Sequence, residues 1–168
     1  MGPVKQCNFS KDEQNQKIVD DHKLNVLGIK INDLSLRIHN LLESAEKADR
    51  LERFVNLVQR AETDDRLKRV LEIAKKEKDN PLDRGYFKVI IDFQFRVSWS
   101  RFFGSQTCEI CQKNFEPYGR GTITNLKTNA IATFSTNSLH KIAEHGFFSM
   151  DKERIPPLKF CQAVYDNI

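Results

Sequence analysis

A chain of 168 residues has room for one compact domain, or for a helical arm followed by a small globular domain, and excludes three modules. Its 27 basic and 23 acidic side chains leave a net charge of +4, which permits phosphate contact without requiring it. No apolar run approaches the ~20 residues of a membrane helix, because the most hydrophobic stretch, Tyr86 to Phe103, is broken by Lys88, Asp92, Arg96 and Arg101.

Four cysteines, two of them in metal-type spacing, with no secretory leader ahead of them, lead to the expectation of a soluble intracellular protein whose thiols stay reduced. Composition then changes at Asn80-Pro81. Residues 1–80 carry 31 charged side chains and two aromatics, whereas residues 81–168 carry 19 and 14, so a boundary is expected there. The first part reads as a helical arm and the second as an α+β domain, an α+β class overall.

Within residues 1–80, Leu24, Leu27, Ile31, Leu34, Ile38, Leu41, Ala45 and Ala48 step by threes and fours, predicting one helix of about seven turns with a single apolar seam. The seam suits a coiled coil with a second copy, through residues 24–58, or an antiparallel hairpin within the chain. Leu51, Phe54, Val55 and Val58 depart from it by a step and predict a bend or a new helix over about 50–61. Thr63-Asp64-Asp65 offers a cap and first-turn acids for a further helix over 64–78, closed by Asn80-Pro81. Its cations Lys68, Arg69, Lys75 and Lys76 are candidate nucleic-acid contacts, although interspersed acids favour a solvated face.

From Phe87 to Trp99 the odd positions are apolar, and the even ones are polar apart from Ile90. This period of two predicts a long, bent strand, with a buried helix over 86–103 as the rival. Thr122–Leu126 and Ala130–Ser135 flank Lys127-Thr128-Asn129 as a β-hairpin. Ser135 to Ser138 offer caps for a two-turn helix, Leu139 to His145, which Gly146 stops. Pro156-Pro157 opens a last helix with Leu158, Cys161, Val164, Tyr165 and Ile168 on one face.

Cys108 and Cys111, in Thr107-Cys108-Glu109-Ile110-Cys111, are followed by His140 and His145, a Cys-x2-Cys then His-x4-His order suited to structural Zn2+. The polar, turn-rich stretch between the pairs would struggle to fold by burial alone. A Cys-x2-Cys turn, a hairpin and a helix bearing the second pair resemble a treble-clef or zinc-finger-like arrangement in their order of elements. Residues five apart on an ideal helix are rotated by about 140°, so His145 must sit in an unwound last turn. Cys161, Cys7 and Glu144 are alternative ligands. The competing readings are a redox Cys-x-x-Cys pair, which lacks a following helix, and free buried thiols.

No His-Glu-x-x-His stands here, and Gly119-Arg120-Gly121 lacks the context of a phosphate loop. The expectation is therefore a non-enzymatic, zinc-stabilised adaptor, assembly or regulatory protein that acts through protein–protein contacts, with another protein or with its own copies. A nucleic-acid-binding zinc protein, using the α-helical cations together with Arg120 and Lys127, is the alternative. A zinc- or thiol-dependent enzyme is the least favoured.

Overall fold

A computed structural model describes residues 10–76, 85–150, 153–166 and 168 of the chain. The fold is α+β. Three helices come first, α1 (Lys11–Val26), α2 (Ile31–Ala61) and α3 (Asp65–Lys76). Strands β1 (Tyr86–Ile91), β2 (Phe95–Phe102), β3 (Gln106–Thr107), β4 (Asn114–Phe115), β5 (Tyr118–Asn125) and β6 (Ile131–Ser135) follow. Helix α4 (Thr136–His140) runs into a π-helical turn (Lys141–His145), and β7 (Ser149–Met150), β8 (Glu153–Arg154) and α5 (Pro157–Val164) complete the chain.

The single seven-turn helix expected over the seam is two helices. Ser10 opens α1 with a capping box, its hydroxyl accepting from the Glu13 amide while the Glu13 carboxylate accepts from the Ser10 amide. Gly28, at φ +68°, closes it: the Gly28 amide donates to the Asn25 carbonyl and the Ile29 amide to the Leu24 carbonyl, a Schellman motif. The periodicity missed this break because Leu24 and Ile29 lie on either side of the turn and enter the same core. No new helix starts near residue 50, and α2 continues to Ala61.

The expected long strand is likewise corrected to a hairpin. Asp92 and Phe93 both take positive φ, and the Gln94 amide donates to the Ile91 carbonyl, turning β1 back onto β2. Ile91 pairs with Phe95 and Val89 with Val97, so odd positions stay on one face through the turn. That is why a hairpin carries the signature of one continuous strand. Phe93 stands at the tip, 97% exposed.

The main sheet is antiparallel in the order β1-β2-β5-β6. Its inner face carries Phe87, Val89, Phe95, Val97, Ile123, Ala132 and Phe134, and α2 and α5 pack on it. The seam residues Leu24, Leu34, Ile38, Leu41 and Ala45 are buried in the same cluster, together with Phe160, Cys161, Ala163 and Val164 of α5. Helix α5 therefore buries Phe160 and Ala163, while Leu158, expected on its inner face, is exposed. The buried Asn125 amide donates to the Gln162 and Tyr165 carbonyls and its oxygen accepts from the Lys127 amide, fastening the predicted β5–β6 turn to the end of α5. The expected boundary at Asn80-Pro81 lies outside the described residues.

Candidate metal centre

Between β2 and β5 the chain leaves the main sheet, and β3 pairs with β4 to form a small ribbon that carries Cys108 and Cys111 in its turn. The Cys108 amide donates to the Lys113 carbonyl and the Gln112 amide to the Cys108 carbonyl, both at 2.8 Å, with Gln112 at φ +62°. This tight loop aims the amides of Ile110 and Cys111 at the Cys108 sulfur. Burial pushes the Cys108 thiol up, and those two amides pull against it. A loop whose N–H groups already face sulfur is built for a thiolate.

The second pair comes from the helix after β6. Ser135 caps α4, its hydroxyl accepting from the Ser138 amide. The π turn resolves the His-x4-His problem: widening the helix by one residue per turn brings positions five apart to the same side. The Phe147 amide donates to the Lys141 carbonyl at 3.0 Å, and Gly146, at φ +64°, ends the turn. The expected two-turn α-helix is therefore an α-helical turn followed by a π turn. His140 and His145 then sit with ring centroids 5.0 Å apart and nearly perpendicular.

The donor atoms of Cys108, Cys111, His140 and His145 all lie within 4.8 Å of one another, and could hold a metal ion. The Cys111 sulfur is 3.1 Å from His140 Nε2. Zinc bonds of ~2.3 Å to sulfur and ~2.0 Å to nitrogen place tetrahedral ligands roughly 3.3–3.8 Å apart, so small adjustments would close the set around one ion. Burial holds both imidazoles below their ordinary pKa; the charges of His145, Lys113 and Lys141 add to this at His140, and those of Lys17 and Lys141 at His145, with Glu144 opposing at both. The neutral ring is the one that ligates.

Two links that the sequence reading missed join the ribbon to the helix. Lys141, only 4% exposed, pairs with Glu109 at 2.6 Å. Burial acts to raise the Glu109 pKa, but the hydrogen bond and charge of Lys141, together with hydrogen bonds from the Glu109 amide and the Asn137 side chain, outweigh it and hold the carboxyl below its usual range. Asn137 also donates from its side-chain amide to the Thr107 carbonyl. The legible signal was an acid between the two cysteines and a base beside the first histidine. Phe115 covers His140 at 5.1 Å between centroids.

The two alternative ligands among the described residues lie outside the cluster. Cys161 is in the hydrophobic core, where burial raises its thiol to about 11, Glu144 is exposed and outside the donor cluster, and Cys7 lies outside the described residues. Of the candidate nucleic-acid contacts, Lys68 and Lys75 pair with Asp65 and Glu72 along α3. Arg69 is exposed on the same helix, Lys76 is its last residue, Lys127 is in the β5–β6 turn, and Arg120 is exposed on β5. No helix among the described residues is long and apolar enough to cross a membrane. No protein-family model, curated protein or solved structure matches the chain.

Proposed function

We propose that this chain is a non-enzymatic interaction module whose ribbon and C-terminal half are pinned by one structural zinc ion. The observation that carries this reading is the convergence of two knuckle sulfurs with two imidazoles from a π-turned helix. Soft sulfur with borderline nitrogen is the donor set zinc takes in structural sites, and four protein ligands leave no position for activating water. Such an ion contributes folding energy and leaves function to the surfaces it orders.

Those surfaces are where an adaptor or regulatory protein would act. Protein–protein contact through the whole aliphatic seam is no longer the natural route, since its residues from Leu24 to Ala45 are largely consumed by the chain's own core. Leu51, Val55 and Val58 remain exposed on α2 as a shorter apolar strip for a protein partner or a second copy.

Elemental analysis of the purified protein, repeated on Cys108→Ser, tests the metal. One zinc per chain in the parent and a large loss in the variant are expected. A parent protein that stays metal-free after refolding with zinc would end the proposal.

A further inference from the structure

Cys108 and Cys111 stand three residues apart in one closed turn, and neither is in a disulfide. The Gln112 amide closes that turn on the Cys108 carbonyl, a winding that sets Cα atoms three apart at roughly 5 Å, inside the ~4.4–6.8 Å that a disulfide spans. Their sulfurs already lie within 4.8 Å of each other. Access to them is unequal. Cys108 is 0% exposed, whereas Cys111 is half-buried and followed by the exposed Gln112 and Lys113. A small oxidant in solvent therefore meets the Cys111 sulfur first, with the Cys108 sulfur beside it. Cys161, the third described cysteine, is shut in the hydrophobic core and outside this cluster.

Two contacts hold the ribbon to the helix without any ion. Lys141 and Glu109 pair at 2.6 Å, with the lysine 4% exposed, and the Asn137 side-chain amide donates to the Thr107 carbonyl. Glu109 lies between the two cysteines and Lys141 follows His140, so these links fasten the turn beside the residues that would ligate. Once the sulfurs have reacted, the turn and the imidazoles stay within reach of one another, and reduction returns a complete donor set. The turn opens no helix, since β4 comes next, which sets the pair apart from a disulfide-exchange catalyst and suits it to sensing.

We propose that Cys108 and Cys111 are a peroxide-responsive pair that joins as a disulfide and so gives up the bound zinc, and that reduction by a dithiol reverses the change. The inference rests on the zinc reading above and adds the regulation of that same site. The Cys111 thiolate attacks one peroxide oxygen, the O–O bond breaks, and Cys111 sulfenic acid forms with hydroxide as the leaving group. The Cys108 thiolate then attacks the Cys111 sulfur, forming the S–S bond and expelling the second oxygen as hydroxide. Two solvent protons turn both hydroxides into water. Each sulfur has lost one electron and each peroxide oxygen has gained one, so the electrons come from sulfur alone and the metal stays Zn2+. The thiolate is the form that binds metal, and its loss at both cysteines leaves two of the four donors that a structural site needs.

Hydrogen peroxide added to the full chain, loaded with Zn2+ and freed of excess, in the presence of a chromogenic zinc indicator tests this. Release of about one zinc per chain should keep pace with the loss of two thiols. The mass of the protein should fall by two hydrogens, and peptide mapping should find Cys108 linked to Cys111. Dithiothreitol with added Zn2+ should restore both thiols and the bound zinc. In Cys108→Ser, dimedone should trap sulfenic acid at Cys111, roughly fivefold or more above the label at Cys108 in Cys111→Ser, because susceptibility follows exposure. The proposal is overturned if the link found runs to Cys7 or Cys161, if zinc leaves with no Cys108–Cys111 bond formed, or if reduction fails to restore the site. A chain that never takes up zinc sinks the zinc reading and this proposal together. A loaded chain that keeps its zinc through peroxide treatment sinks this proposal alone.

Discussion

Gly119 and Gly121 are present because Trp99 lies across them. A Cβ at position 119 would sit 1.9 Å from the Trp99 ring, and one at 121 would sit 2.6 Å from the same ring and 2.8 Å from the Ser98 carbonyl. Gly119→Ala should therefore cost ~3 kcal/mol through overpacking, read as a fall in melting temperature with a change in the Trp99 near-ultraviolet signal. At the candidate metal centre, burial lowers the pKa of His140 and His145, so the folded chain favours the neutral rings that a metal would need. With the folded values below the unfolded ~6.5, this contribution is fully present above the unfolded value and is lost as pH falls through the folded ones. Zinc affinity should fall in the same acidic window, as protons compete for the rings. Binding at neutral pH should release protons, the Cys108 thiol contributing because burial holds it protonated. Titration calorimetry in two buffers of different ionisation enthalpy would show this as a buffer-dependent heat, and identical heats would contradict it.

At the scale of elements, Gly28 decides whether the first sixty residues are one rod or a folded pair. Its φ of +68° suits glycine, and a Cβ there would meet nothing within 4 Å, so Gly28→Ala isolates the conformational cost. About 1 kcal/mol of destabilisation is expected from the left-handed backbone alone, with Gly28→Asn costing less. Equal stability of Gly28→Ala and the parent in urea would mean the Schellman turn is not what ends α1. The hairpin of β1 and β2 and the π turn after α4 share one lesson. In each, local geometry alters how many residues a turn consumes, and side-chain direction follows: odd residues stay inward across Asp92-Phe93, and His145 comes round to face His140.

At the scale of the molecule, α1, α2, the sheet and α5 contribute to a single hydrophobic cluster. The π turn also lies against α2. Loss of the metal should therefore not spare the helices. Chelation is expected to lower the melting temperature in one cooperative transition, with helical and Trp99 signals moving together, since the elements share one core. Separate transitions for the two signals would show that the first three helices fold independently.

The α+β class, the nearness of the Cys108, Cys111, His140 and His145 side chains, the β5–β6 hairpin and the existence of the amphipathic helices were legible in the chain alone. Period, caps and ligand spacing are local properties, and residues such as Ser10, Gly146 and Cys108 carry them in their own chemistry. Tertiary structure alone decided that the seam of α2 belongs to this chain's core, that Val97 sits between Val89 and Ile123 in the sheet, and that Lys141 bridges to Glu109. Those facts depend on strand register and on which helix covers which side. Pairing between distant segments sets both, and no spacing within a single segment encodes it.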